Sequence, residues 1–533
     1  MPLSDSSRLR RPNIVLLLCD DMGFSDIGCF GSEIRTPHLD GLARRGIRFT
    51  QMYNCGRCCP TRASLLTGLY PHQAGVGNMT QDRGDGAYQG FLNDRCVTLA
   101  EPLRAAGYRT LITGKWHVGG SWPRRPGPAW RVHDPRKPLP PDRGFDDWYG
   151  IPTGGSYFHP SPLMRNHDFI EAEEDFYTTD SYTTAALGMI DRAVADGMPF
   201  FLHVCYNAPH WPLHARAEDI ARYRRTYAKG WDHARTARHE ELKGLGVLSP
   251  RWDISPRDAD APPWQSAGNQ DWQDARMAVY AAQVDRVDQN VGRILDKLRE
   301  RGVADNTLVL FLSDNGGSAE FLRENGRKEA ELPFTRDGRE VRVGNVEGLE
   351  PGGPETFQSY GLPWANVSNA PFRLFKHWVH EGGIATPLIA HWPAGIPGAG
   401  ALVHEPAHVV DLVATCLDVA GCEYPRTFDG RDILPIEGQS FARVFRGDSW
   451  RREGPIFWEH EGNRAVRSGR WKLVSQYEPG RWELYDMTAD RTELDDLADR
   501  NAAKVTELAA AYDDWAARCG VLPWQQVRSR QAR

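Results

Sequence analysis

The sequence predicts an α/β fold in which an open sheet is sandwiched by helices. A small C-terminal antiparallel sheet with one packed helix is expected to follow. Three observations predict this. Asn13–Cys19 is an almost continuous apolar run without alternation, as in a strand covered on both faces. Helical and strand signals then alternate through most of the chain. Beyond residue 447 the pattern changes to short strands separated by Gly, Ser and Pro turn signals, a spacing that suits an antiparallel meander. A boundary is therefore expected in the basic, polar stretch Asp448–Glu453, dividing the chain into a larger unit, 1–447, and a C-terminal unit, 448–533.

Composition narrows the function classes. With 533 residues the chain can bury a large core, and its charged and hydrophobic fractions of 25% and 41% are those of a globular protein. A formal charge of −6 supplies no general attraction for nucleic acid or an anionic membrane. An anionic substrate must therefore meet a local cluster of Lys, Arg and His. No apolar run is long enough to span a bilayer. The apolar stretch after Met1–Arg11 stops at Asp20-Asp21, too short for a signal-peptide core, so a cytoplasmic location is expected. Ten scattered cysteines fit reduced thiols better than a disulfide framework.

Taken in order, the first strand ends in Asp20-Asp21-Met22-Gly23, at the sheet edge where functional residues collect. In Asn54–Gly68, Pro60 suits the first turn of a helix and Gly68 its end. Cys58 then stands at the helix N-terminus, where free N–H groups favour an anion, with Arg62 one turn on. Such a cysteine is a low-pKa thiolate or something made from one, a buried structural thiol, or part of a thiol metal cluster with Cys55 and Cys59. Thr98–Ala106 reads as a helix stopped by Gly107, and Tyr108–Thr113 as a strand ending in Gly114-Lys115-Trp116-His117. Period-two geometry points Lys115 and His117 the same way if the extended conformation continues. Pro123–Asp142 reads as an irregular loop, Ser181–Ala195 as a helix, and Phe200–Tyr206 as a strand leading to Asn207-Ala208-Pro209-His210-Trp211-Pro212. His203 reads as a core residue, and His210, between two prolines at a strand end, as held rigidly for a purpose.

Leu213–Trp272 is long, charged and rich in Trp and Pro, as in a lid or wall beside a site. Met277, Tyr280, Val284, Val287, Val291, Ile294 and Leu298 mark an amphipathic helix of about six or seven turns. Thr307–Leu312 is a strand ending in Ser313-Asp314-Asn315-Gly316-Gly317. Two strand ends thus offer paired oxygen ligands, which suit Ca2+ or Mg2+ rather than zinc. Glu320–Gln358 reads as a long loop, Ala385–His391 as a strand and His408–Val419 as a helix. Val505, Leu508, Tyr512 and Trp515 line the inner face of a closing helix.

Cys58-Cys59-Pro60-Thr61-Arg62 with Thr67-Gly68 resembles the Cys-x-Pro-Ser/Thr-Arg-x4-Thr-Gly signature of the type I, formylglycine-dependent sulfatases. Gly114-Lys115-Trp116-His117-x-Gly resembles a second signature of that family. The stretch 364–387, in which Lys376 precedes Glu381-Gly382-Gly383, is similar to bacterial arylsulfatases. Matching blocks at 13–28, 54–68, 114–119, 207–212, 312–317 and 364–387 follow the family's order.

The resemblance implies a large mixed, mostly parallel sheet of the alkaline phosphatase superfamily, with 1–447 catalytic. It implies hydrolysis of sulfate monoesters, most simply aryl sulfates, to a phenol or alcohol plus sulfate. Cys58 would be converted to formylglycine by a formylglycine-generating enzyme, and Asp20, Asp21, Asp314, Asn315 and modified Cys58 would bind Ca2+, Mg2+ being second choice. One hydroxyl of the formylglycine hydrate, deprotonated with help from Asp314, would attack sulfur. His210, with Lys376, would protonate the leaving group, and His117 would take the proton of the second hydroxyl as sulfate departs. Lys115, His210 and Lys376 would bind the substrate, and Arg62 would steady the modified residue. Cys59 and Cys55 depart from the family pattern and would let an unmodified chain form a disulfide or hold a soft metal. A phosphonate or phosphate ester hydrolase of the same superfamily, or a carbohydrate sulfatase, is the alternative reading.

Overall fold

A computed structural model describes residues 11–123, 134–325, 333–398 and 400–530. Nearly all of the polar N-terminus, and central parts of the loops expected at 123–142 and 320–358, lie outside the described residues.

The main sheet is built from β1 (Asn13–Asp20), β2 (Ile47–Tyr53), β3 (Arg109–Lys115), β4 (Asp147–Ile151), β5 (Leu163–Arg165), β6 (Asp168–Ile170), β7 (Phe200–Pro209) and β8 (Thr307–Ser313). After a two-stranded ribbon, β9 (Arg342–Val343) and β10 (Thr356–Phe357), it gains β11 (Ala385–His391), β12 (Ala401–Val403) and β13 (Ala407–His408). The order is β12-β2-β11-β8-β1-β7-β3-β4-β5-β6, with β13 also on β2. β8, β1, β7, β3 and β4 run parallel, whereas β11 lies antiparallel between β2 and β8. The sheet is therefore mixed and mostly parallel, as expected.

Both faces are covered, which explains the unbroken apolar run of β1. Val15 and Leu17 enter one core with helices Pro37–Arg45, Thr178–Ala195 and Gln270–Glu300, while Ile14, Leu16 and Leu18 enter another with helices Cys58–Thr67 and Val409–Ala420. The helix expected from Met277 to Leu298 extends over Gln270–Glu300, and Asn269 caps it by accepting from Trp272 N–H.

The segment expected to form a lid or wall is packed structure. Its helix Gly230–Gly244 buries Trp231 and Leu242 in the core, and Arg238 pairs with Asp26 at 2.6 Å, both side chains fully buried. Asp26 in turn accepts from Gly23 N–H at 2.8 Å, so this segment braces the turn after β1 from behind. The Arg238–Asp26 pair is internal, and a sequence shows it only as polarity.

A ribbon of β14 (Thr427–Phe428) and β15 (Arg431–Asp432) precedes the C-terminal meander β16 (Ile456–His460), β17 (Asn463–Ser468), β18 (Trp471–Ser475) and β19 (Glu483–Asp486). Period-two alternation sends Phe457, Val466, Leu473 and Leu484 toward Leu508, Tyr512 and Trp515 of helix Ala502–Cys519. Trp458, Ala465, Val474 and Tyr485 point the other way, into the principal core. No helix among the described residues is long and apolar enough to cross a membrane.

Candidate active site

Topology brings the site together. β8, β1, β7 and β3 are parallel neighbours, so their carboxyl ends share one edge, and they deliver Asp314, Asp20, His210 and Lys115 respectively. β2 runs the same way and is followed by Cys58. β11 runs oppositely, so the loop before it, which carries Lys376, reaches that same edge. Two backbone turns refine the placement. Asp21 has φ 65°, which breaks strand alternation, so that Asp20, Asp21 and His210 each present an atom within 4.8 Å of the others. His117 has φ 61°, so the extended conformation does not continue past Lys115 as the period-two argument required. The turn, held by His117 N–H on Pro152 O at 2.9 Å, still brings the imidazole beside Cys58 and Cys59.

Lys376 is placed by close backbone approach. A Cβ on Gly382 would lie 2.2 Å from Leu374 O, and one on Gly316 would lie 2.0 Å from Gly382 O. Only glycine lets Asn315-Gly316 and Glu381-Gly382 pack so tightly. Lys376 N–H then bonds Gly317 O at 3.2 Å, and His377 N–H bonds Gly56 O at 2.8 Å, tying the lysine loop to the segment before Cys58.

The charges are interlocked and buried. Lys115 Nζ donates to Asp20 Oδ2 at 2.6 Å, and Lys376 Nζ to Asp21 Oδ2 at 2.8 Å. Arg62 NH2 bridges Asp314 Oδ2 at 2.7 Å and Asp20 Oδ2 at 3.5 Å. Asn315 Nδ2 donates to Asp21 Oδ1 at 2.7 Å. Asp20 and Asp314 share Arg62 yet move oppositely. Burial opposes ionisation of both, but Lys115 chiefly, with Arg62, holds Asp20 at about 2, whereas burial and the nearby Asp20 charge push Asp314 up. Lys115 makes the difference, since it contacts Asp20 directly at 2.6 Å and acts only more weakly on Asp314.

Cys58 opens helix Cys58–Thr67, whose N-cap Arg57 offers no side-chain cap, so the first amides stay available to an anion. A hydrogen bond from Cys59 pulls the Cys58 thiol well below its ordinary value, with the charge of Lys115 helping against burial, while burial pushes Cys59 up. Gly68, at φ 71°, ends the helix with its N–H on Ser64 O. Cys55 does not join a thiol cluster: it faces Ser64 Oγ at 3.4 Å and His408 Nε2 at 3.8 Å. All ten cysteines carry free thiols.

His117 is held down at about 4 by burial and Lys115, so it is neutral at pH 7. His210 is also lowered by burial. Its Nδ1 lies 2.6 Å from Trp211 O, which can only accept, so Nδ1 carries the hydrogen. Nε2 is then the acceptor facing Lys376 Nζ at 3.3 Å. Burial disfavours the Lys376 ammonium, but Asp21 and Glu320 outweigh this and keep it charged.

The oxygen set fits a hard cation. Asp20 Oδ1 and Asn315 Oδ1 are buried without a hydrogen-bond partner, and beside Asp21 and Asp314 they form an oxygen-rich donor group. Three contributors escaped the sequence reading. Glu320 receives Arg57 NH2 at 3.2 Å and Trp211 Nε1 at 2.5 Å and lies 3.9 Å from Lys376 Nζ, while the Trp211 ring packs 4.5 Å from that of His210. Trp211 had a signal, as the partner of His210 between prolines; Arg57 and Glu320, one on each of two loops, had none. His203, bonded to Leu16 O, and His214, bonded to Thr356 O, serve the core.

A family model described as Sulfatase matches residues 12–422, and one described as N-sulphoglucosamine sulphohydrolase, C-terminal, matches residues 372–512. An uncharacterized sulfatase of Schizosaccharomyces pombe is 31% identical across 98% of this chain and 96% of its own. An arylsulfatase of Klebsiella aerogenes is 32% identical across 82% and 93%. An N-acetylgalactosamine-6-sulfatase of Sus scrofa is 29% identical across 90% and 74%. Among solved structures, Ps i-CgsB superposes with a TM-score of 0.67 at 25% identity, covering 95% of this chain and 93% of that one. The phosphonate monoester hydrolase of Agrobacterium radiobacter shares the fold at a TM-score of 0.55 and 21% identity, over 96% of each chain.

Proposed function

Because this chain belongs to the sulfatase family and is a sulfuric ester hydrolase, we propose that it cleaves aryl sulfates at the edge where Cys58, Lys115 and Lys376 meet. The observation that carries the aryl reading is Trp211. Its indole packs 4.5 Å from the His210 ring, whose Nε2 faces Lys376 Nζ, and in this reading it walls the leaving-group side. Similarity to the Klebsiella aerogenes arylsulfatase supports the same choice. The N-acetylgalactosamine-6-sulfatases favour a second reading, a carbohydrate sulfate ester.

In this reading formylglycine made from Cys58 supplies, as its hydrate, the nucleophile and a second hydroxyl. A divalent cation held by Asp20, Asp21, Asp314 and Asn315, Ca2+ in preference to Mg2+, supplies positive charge for the sulfate oxygens. Lys115 adds a fixed charge on the Asp20 side, and the exposed amides opening helix Cys58–Thr67 add donors. Arg62 holds Asp314 and Asp20 in place, and Asp314 would accept a proton from residue 58. Lys376 is the protonated group facing the leaving oxygen, with neutral His210 Nε2 as its partner. Neutral His117 accepts a proton from residue 58 when sulfate departs. Residues 1–447 carry this chemistry, and 448–533 brace it through Lys472, which pairs with Glu381 at 2.9 Å just beyond the Lys376 loop. A cytoplasmic formylglycine-generating enzyme would be the modifying partner.

Steady-state turnover of 4-nitrophenyl sulfate, N-acetylgalactosamine 6-sulfate and an aryl phosphonate tests the substrate. The expected order puts the aryl sulfate first; a dominant kcat/KM for the sugar sulfate or the phosphonate would overturn the aryl reading.

A further inference from the structure

We propose that His377, His460 and Glu461 form a second metal site, separate from the oxygen-lined one, that takes a borderline transition-metal ion such as Zn2+. His377 follows Lys376 in its loop, His460 ends β16, and Glu461 opens the turn into β17. One ligand atom from each lies within 4.8 Å of the other two. His377 Nδ1 is 3.1 Å from Glu461 Oε2, His460 Nε2 is 4.0 Å from Glu461 Oε1, and the imidazole centroids are 5.4 Å apart.

An ion pair between His377 and Glu461 would explain two of the three residues but not His460. That side chain is fully buried, and neither of its ring nitrogens has a hydrogen-bond partner among the described residues. Burying an imidazole with both nitrogens unmet is costly, and a metal ion supplies the missing partner for a lone pair. Burial also keeps His460 neutral, the form that ligates. Arg57, whose positive charge acts on both His460 and Glu461, is itself paired with Glu320.

The donor chemistry selects the ion. Two imidazoles and one carboxylate form a zinc-type set with room for a further ligand, and nitrogen donors disfavour Ca2+ and Mg2+. The His377 and Glu461 side chains are 31% and 27% exposed, which gives the ion a path from solvent. An ion there would clip the loop bearing Lys376 to the β16–β17 hairpin. It would also reach the segment before Cys58, because His377 N–H is bonded to Gly56 O.

The test uses the full chain saturated with Ca2+, titrated with Zn2+ by calorimetry and with Co2+ by visible absorption, alongside His377→Ala and Glu461→Gln. These half-exposed positions spare the buried His460, and thermal melts of each variant without zinc check folding. One Zn2+ per chain is expected, with a zinc-dependent rise in Tm, cobalt bands free of thiolate charge transfer, and affinity weakened at least roughly tenfold in each variant. Absence of zinc uptake, uptake unchanged by both substitutions, or a thiolate band placing the ion at Cys58, Cys59 and His117 would overturn the proposal.

Discussion

Lys376 Nζ lies 2.8 Å from Asp21 Oδ2 and 3.3 Å from His210 Nε2, and those two atoms are 3.5 Å from each other. One ammonium thus serves a carboxylate of the oxygen cluster and a neutral imidazole at once. Lys376→Ala is expected to lower kcat/KM by about 10²–10³ for an aryl sulfate. The loss should grow for alkyl sulfates, whose poorer leaving groups need the proton more. A kinetic series over leaving-group pKa checks this, and an equal loss for every substrate would assign Lys376 to sulfate binding alone.

His117 predicts a pH signature. Burial and Lys115 lower its pKa to about 4, so the neutral imidazole persists until the pH falls to that region. The acid limb of kcat should therefore lie nearer that value than the ordinary roughly 6.5. A kcat–pH profile of the wild type, with His117→Asn for comparison, reads it directly. A limb at the ordinary imidazole value would contradict the role given to His117.

Glu381 anchors the C-terminal sheet to the catalytic sheet. It is fully buried, accepts from Lys472 Nζ and Arg491 Nε, each at 2.9 Å, and from Tyr53 OH at 3.1 Å. Burial opposes its charge, but Lys472 and the two arginines, Arg491 and Arg467, hold it at about 2. The folded value is below the unfolded one of roughly 4.3, so this stabilisation is complete above the unfolded value and is lost as pH falls through that interval. Glu381→Gln should cost about 3 kcal/mol, because Arg491 loses its buried anion while Lys472 keeps Glu493 at 2.7 Å. Urea unfolding at pH 7 and pH 4 tests both statements: the gap between wild type and variant should narrow at the lower pH. An unchanged midpoint in the variant would remove Glu381 from this role.

Legibility in the sequence followed periodicity and strand ends. Asp20, Lys115, His210 and Asp314 stood out because apolar runs end just before them, and parallel neighbours place such ends on one edge. Lys376 had no such signal. It sits on an irregular loop brought in by an antiparallel strand, and only the likeness to a known pattern singled it out. Glu320, Arg57 and the His377–His460 pair depend on contacts between segments far apart in sequence, which no spacing encodes. The wall expected of residues 213–272 gave no sign of the Arg238–Asp26 pair, which joins segments far apart in sequence.

The central claim is that residue 58 works as an aldehyde and not as the thiol its lowered pKa would permit. Trypsin would cut at Arg57 and leave an awkward peptide, so another protease should be used to release a fragment spanning residue 58 from turnover-competent enzyme. Mass spectrometry of that fragment is expected to show an aldehyde, trappable by a hydrazine, in place of the thiol. A fully active preparation in which residue 58 is only unmodified cysteine would contradict the account.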